Sequence, residues 1–143
     1  MKVRSDFVTN SSSSSYIIAY RVLPEFDEET LVKYPSLKNY GNLIETALFT
    51  DDDYETTVGT VSRTKEEYDK NFIYQYGWKT SNTLEEILKD DDYLTDIYNI
   101  AIEYLEKGFN ILSKSVGYDN TYCANMIKQL AEDKDNFVIL AEG

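Results

Sequence analysis

Hydrophobic positions along this chain change their period several times, and each change marks an element. From Ser15 to Leu23 the residues Tyr16, Ile17, Ile18, Ala19, Tyr20 and Val22 are mostly β-branched or aromatic, and Pro24 ends the run, which predicts a strand. Tyr16, Ile18, Tyr20 and Val22 share one face, and Ile17 and Ala19 the other. Both faces are apolar, so a central strand covered on both sides is expected. Asp27 to Tyr34 carries acids in its first turn and stops before Pro35, as a short helix does. Ser36 is placed to cap a second helix reaching about Phe49, with Leu37, Tyr40, Leu43, Ile44, Ala47 and Leu48 at helical spacing. Gly41 weakens that helix by about 1 kcal/mol relative to alanine. Glu55 to Ser62, rich in Thr and Val, reads either as an edge strand with Gly59 at a bulge or as an ordered loop.

The second half is more regular. Thr64 and Glu67 make a Thr-x-x-Glu capping box, opening a helix to about Tyr76 before Gly77. Thr83 and Glu86 make another, for a short helix to about Lys89. Asp90, Asp91 and Asp92 then cap the longest helix. Its stripe is Leu94, Ile97, Tyr98, Ala101, Tyr104 and Leu105, and Gly108 follows Lys107 as the natural residue just past the end. Phe109 to Val116 reads as a strand: Phe109, Ile111, Ser113 and Ser115 alternate against Leu112 and Val116. Asn120 or Thr121 caps a helix to about Asp133 with Cys123, Met126, Ile127 and Leu130 on one face, and Asn136 to Ala141 is a continuously apolar strand. The expected fold is a single α+β domain over residues 1–143. A small mixed sheet of three or four strands packs on a layer of helices and ends in a strand–helix–strand unit, and residues 1–15 form an N-terminal segment with a serine-rich turn. Parallel neighbours in that unit would require a right-handed crossover.

Composition narrows the function classes. The chain has 143 residues, 42% of them hydrophobic, and 13 tyrosines, so it can bury a core and is too aromatic for a disordered chain. Its 26 acidic residues outnumber 14 basic ones for a net charge of −12, with no Lys/Arg cluster. Direct nucleic-acid binding and an anionic membrane surface are disfavoured, and a basic protein partner is favoured. No run approaches the roughly 18 apolar residues of a membrane span. The apolar core of a signal peptide does not follow Met1 to Arg4, where Asp6 and the serines interrupt, and the single cysteine provides no disulfide framework. A cytoplasmic protein is expected.

Histidine is absent, which removes the commonest general base, the Ser-His and Cys-His dyads and imidazole ligands. Cys123 lies on an apolar helix stripe and reads as a buried, inert thiol. No phosphate loop, zinc spacing or nucleophile elbow occurs. The triplets Asp51–Asp53 and Asp90–Asp92 lack the spaced ligands that wrap a calcium or magnesium ion, since successive aspartates point different ways. No metal or cofactor is expected, and no carboxylate pair is singled out for catalysis; a deep pocket holding two close carboxylates would revive an enzyme.

The acids concentrate in the middle third. Asp51, Asp52, Asp53, Glu66, Glu67, Asp90, Asp91 and Asp92, interleaved with Tyr54 and Tyr93, are the candidate partner-binding residues. Duplex DNA carries a charge about every 1.7 Å of axis, and carboxylates arrayed on one face can imitate it. Tyrosine is favoured at interfaces. The competing reading is an ordinary acidic surface that aids solubility, with the tyrosines in the core. Trp78, after a helix, is either an anchor for a partner or a core residue.

The stretch Asn10, Ser11, Ser12, Ser13, Ser14 and Ser15 joins two apolar segments. It reads as a polar turn delivering a short strand, Val3 to Val8, beside the one starting at Ser15. Alternatively its backbone forms an anion nest, with hydroxyls that contact a phosphate or nucleotide or accept a modification. Phe7 to Ile17 resembles an N-terminal signature shared by many small proteins of low-GC Gram-positive bacteria and their phages, which usually carry Phe where this chain has Tyr16. Those proteins look unrelated beyond it. The resemblance implies shared handling of the N-terminus or a mobile-element origin, and it transfers no catalytic residue. Together with the acidity, it resembles the small acidic inhibitors that phages make against host defence nucleases. The expectation is a non-enzymatic, protein-binding domain. The alternative is a protein whose serine segment is the functional element.

Overall fold

The apolar segment Tyr16 to Tyr20 is buried throughout because its strand, β1 (Ser13–Tyr20), sits inside the sheet with a neighbour on each side. In the computed structural model, which describes residues 13–22, 26–39, 43–49, 56–77, 83–89 and 91–143, four strands run in the order β2-β3-β1-β4. β2 is Thr60–Ser62, β3 is Asn110–Gly117 and β4 is Phe137–Glu142. Where a mixed sheet was expected, all three ladders are antiparallel. β3 and β4 run in the same direction, but β1 lies between them. The C-terminal strand–helix–strand unit is therefore present, and its two strands are not neighbours. β1 has apolar residues on both faces, and the helix layers above and below the sheet bury both.

Helix boundaries follow local capping chemistry. Asp27 caps α1 (Glu28–Lys33), which buries no residue and is followed by a 3-10 turn, Pro35–Asn39. α2 (Leu43–Leu48) covers the second half of the single helix expected from Ser36 onward. The Thr64 hydroxyl accepts from Glu67 N at the start of α3 (Lys65–Tyr76), and Glu67 Oε2 reaches back to accept from Arg63 N at 3.1 Å, one residue before the cap. α4 (Leu84–Lys89) and α5 (Asp92–Glu106) follow, the latter capped by Asp91. Gly108, just past α5, takes a φ of +91° that a side chain would resist. α6 (Thr121–Leu130) is capped by Asn120.

Helices cover both faces of the sheet, where one layer was expected. On the first face, Ile17, Ala19, Phe109 and Ile111 pack with Tyr68 and Phe72 of α3, Ile87 of α4, and Ile97 and Ala101 of α5. On the second, Tyr16, Ile18, Tyr20, Leu112 and Phe137 pack with Ile44 and Leu48 of α2 and Cys123 and Ile127 of α6. Cys123 is buried, as its stripe position predicts.

One polar contact ties the second layer down. Tyr20, fully buried, donates its hydroxyl to Glu45 Oε1 at 2.9 Å, and Arg63 Nη1 lies 2.8 Å from the same oxygen. Burial pushes the Glu45 carboxyl up, but the hydrogen bonds from Arg63 and Tyr20 and the Arg63 charge outweigh it and hold the group below its ordinary value. A depressed carboxyl contributes stability above its unfolded value, near pH 4.3, and loses it as pH falls through the lower folded value. The stability difference between the native protein and Glu45→Gln should therefore be largest near neutrality and shrink below about pH 4. Urea unfolding of both at a series of pH values checks this; a difference unchanged into acid would contradict the assignment.

Candidate functional site

The sheet's first face is apolar for only part of its length. Along β3 it reads Phe109, Ile111, Ser113, Ser115; along β1 it reads Ala19, Ile17, Ser15, Ser13. β3 changes from apolar to hydroxyl one pair before β1, since Ser113 is opposite Ile17 and Ser115 opposite Ser15. β2 adds Thr60 opposite Ser113 and Ser62 opposite Ile111. The apolar half lies against the helix layer. The hydroxyl half forms the floor of a cavity of about 520 Å³.

Helix α3 builds one wall. Tyr68 and Phe72 turn into the core with ring centroids 5.8 Å apart, and Phe72 stacks obliquely on Tyr76 at 4.7 Å. Asn71 and Gln75, four residues apart, present two carboxamides to the cavity on one side of the helix. Asn71 Nδ2 donates to Ser62 Oγ at 2.8 Å, which orients its amide. Tyr74 stands at the cavity with 89% of its surface exposed. Tyr93 and Ile97 of α5 complete this side. α3 and α5 are held together by Asp69, which accepts from Tyr98 Oη at 2.5 Å and from Lys65 Nζ at 2.7 Å. Burial pushes the Tyr76 phenol up to about 12 and the Tyr68 phenol higher still, so both are neutral donors at physiological pH.

The opposite wall is residues 56–59. Thr57 N donates to Ser115 O at 2.9 Å, and its hydroxyl accepts from Ser115 N at 3.1 Å. Thr56, buried, accepts from Gly117 N at 3.0 Å and from Asn120 Nδ2 at 3.2 Å. Gly59, with φ +104°, lets this segment approach β3 closely. Lys114, 3% exposed, donates its ammonium to the Thr57 carbonyl. Among the described residues it is the one charged side chain in the lining, which contains no carboxylate.

The acidic candidates are placed by helix starts. Glu67 accepts from Arg63 N beside the Thr64 cap, and Asp91 accepts from Leu94 N at 3.1 Å. Glu66 and Asp92 are exposed in the first turns of α3 and α5, where the helix dipole favours a negative charge. Tyr93 is half-buried against the core and lines the cavity. Ser13, Ser14 and Ser15 are strand residues opposite Gly117, Val116 and Ser115, so the latter part of the serine run is a ladder and not a turn. Ser15 also lines the cavity. Asp51, Asp52, Asp53, Tyr54, Asp90, Trp78, Asn10, Ser11, Ser12 and the strand expected over Val3 to Val8 lie outside the described residues. Among the described residues no group of three carboxylates or thiols is gathered to hold a metal, and no helix is long and apolar enough to cross a membrane.

The structure thus brings Ser15 and Tyr93 into one cavity, although the sequence offered them as parts of separate sites. It adds Asn71, Gln75, Thr57 and Lys114, which no motif marks. The signal that was available is the pair Ser113 and Ser115, which break an otherwise apolar alternation. Comparison with protein-family models, curated proteins and solved structures finds no match.

Proposed function

We propose that the protein is a non-enzymatic binding domain whose acidic surface takes a basic protein, in the manner of a nucleic-acid mimic. The observation that carries this reading is a set of uncompensated carboxylates. Glu66, Glu85, Glu86, Asp92 and Asp96 are exposed on α3, α4 and α5. Among the described residues they make no ion pair; the pairs that do form are Glu45 with Arg63, Asp69 with Lys65, and Glu103 with Lys107. Charges left in water keep their reach toward a partner, and a net of −12 steers cationic surfaces inward. Fully paired carboxylates would contribute little to such steering. The phage-associated N-terminal signature extends the reading to an inhibitor that occupies the nucleic-acid channel of a host defence protein.

The test uses the full-length chain immobilised in host lysate at ~0.05 M and ~0.5 M salt, which bracket the range where screening removes surface attraction. A stoichiometric basic partner should be held at the lower salt and lost at the higher. The combined variant Glu66→Gln, Glu85→Gln, Glu86→Gln, Asp92→Asn should weaken it about tenfold or more. Retention indifferent to both salt and the variant, or no partner at either salt, would overturn the proposal.

A further inference from the structure

We infer that the cavity over the β1–β3 hydroxyl floor binds a neutral, polyhydroxylated ring of mono- or disaccharide size. Its volume of about 520 Å³ lies within the roughly 300–1,000 Å³ of small-ligand sites. The class of ligand follows from what lines it. Ser15, Ser113 and Ser115 offer hydroxyls that both donate and accept. An apolar occupant would strip water from these groups and give nothing back, leaving each one unsatisfied. An anion would meet no available cation among the described residues, because the Lys114 ammonium is buried against the Thr57 carbonyl, and the net charge of −12 opposes its approach. A cation would find no carboxylate in the described lining. The ligand that fits is uncharged and carries several hydroxyls.

Two features of α3 favour a sugar ring over an open-chain polyol. Asn71 and Gln75 each place a carbonyl oxygen and an NH₂ in one plane, and that fork matches two neighbouring hydroxyls on a ring. The Asn71 amide is already oriented by its bond to Ser62, so little freedom is lost when it is used. Tyr74 supplies an aromatic face at the cavity with 89% of its surface in water. An aromatic face left in water suits the flat C–H side of a pyranose, and its hydroxyl tip remains solvated. No other role for Tyr74 is evident among the described contacts, since it joins neither core cluster.

The experiment titrates the isotope-labelled full-length protein with glucose, galactose, maltose and lactose in turn, each to about 50 mM, enough to saturate a millimolar site, and follows amide shifts. Adenosine monophosphate is titrated in parallel as the anionic competitor. At least one sugar should give saturable shifts centred on Ser113, Ser115, Asn71 and Gln75. Gln75→Ala and Tyr74→Ala, both at exposed helix positions that leave the core untouched, should each weaken that sugar about fivefold or more while the remaining spectrum is preserved. Absence of saturable shifts with all four sugars overturns the inference, as does tighter binding of adenosine monophosphate or affinity unaltered by both variants. The outcome is independent of the basic-partner reading, whose residues lie outside the cavity.

Discussion

Phe137→Ala should destabilise the protein by about 3–5 kcal/mol, the range for removing a fully enclosed aromatic ring. Phe137 is the first residue of β4, has no exposed surface, and stands opposite Tyr20 of β1 in the cluster that also holds Ile18, Leu48 and Ile127. The loss has two parts: the apolar area no longer buried, and the void left because β4 cannot collapse inward. β4 is held in place by its ladder to β1 and by the turn before it, where Phe137 N donates to Asp133 O at 2.9 Å and Arg21 N to Asn136 O at 2.8 Å. Thermal unfolding should show a midpoint lowered by about 10 °C or more. Phe137→Leu, which keeps most of the volume, should cost less than about 1.5 kcal/mol. If alanine costs no more than leucine, the ring is not packed as described.

Gly59→Ala should cost about 2–6 kcal/mol and damage the cavity wall, combining backbone strain of about 1–3 kcal/mol with overpacking of similar size. A Cβ there would lie 2.7 Å from Leu112 Cδ1 and 2.9 Å from the Ser113 carbonyl oxygen. The leucine tip can swing away, but the carbonyl belongs to the β3 ladder and cannot. Residues 56–59 would lift from β3, loosening the Thr57 bonds to Ser115 and the carbonyl that holds Lys114. Gly108→Ala is the control. Its φ of +91° carries conformational strain, but nothing lies within 4 Å of the added carbon, so its cost should be the smaller of the two. Hydrogen exchange at the Ser115 amide should accelerate in Gly59→Ala and not in Gly108→Ala. Equal stability of the two variants would show that the close approach to β3 does not constrain this wall.

Most helix boundaries were legible because they are set within one turn of chain. Thr64 with Glu67, Asp91, Asn120 and Gly108 act on backbone groups three or four residues away, and each was recognisable as a pattern in the sequence. Of the helix expected over Ser36 to Phe49, the described residues form a 3-10 turn, Pro35–Asn39, and the shorter α2. Its apolar spacing was sound in the part that packs on α6: Ile44 and Leu48 are buried. The strand around Gly59 was left open between two readings, since three residues of edge strand carry too little pattern to separate it from a loop.

The candidate site was less legible. Ser113 and Ser115 are visible as polar interruptions, but their meaning depends on whether a helix covers the sheet above them, which is a contact between distant segments. Asn71 and Gln75 look like ordinary exposed positions of an amphipathic helix. Glu67 and Asp91 read in the sequence both as helix-start residues and as partner-binding charge, and both bond backbone N–H groups at helix starts.

By itself the sequence determined the α+β class, the capped helix starts, the two-sided burial of β1 and the acidity of the surface. These rest on local hydrogen bonds, side-chain period and composition, none of which needs a distant partner. That β1 separates β3 from β4, that helices cover both faces, and that Ser15, Ser113, Asn71 and Tyr93 meet around one cavity follow from contacts between distant segments. Strand order and cavity shape minimise exposed apolar area over the whole chain at once, and that quantity has no signature in any single stretch of residues.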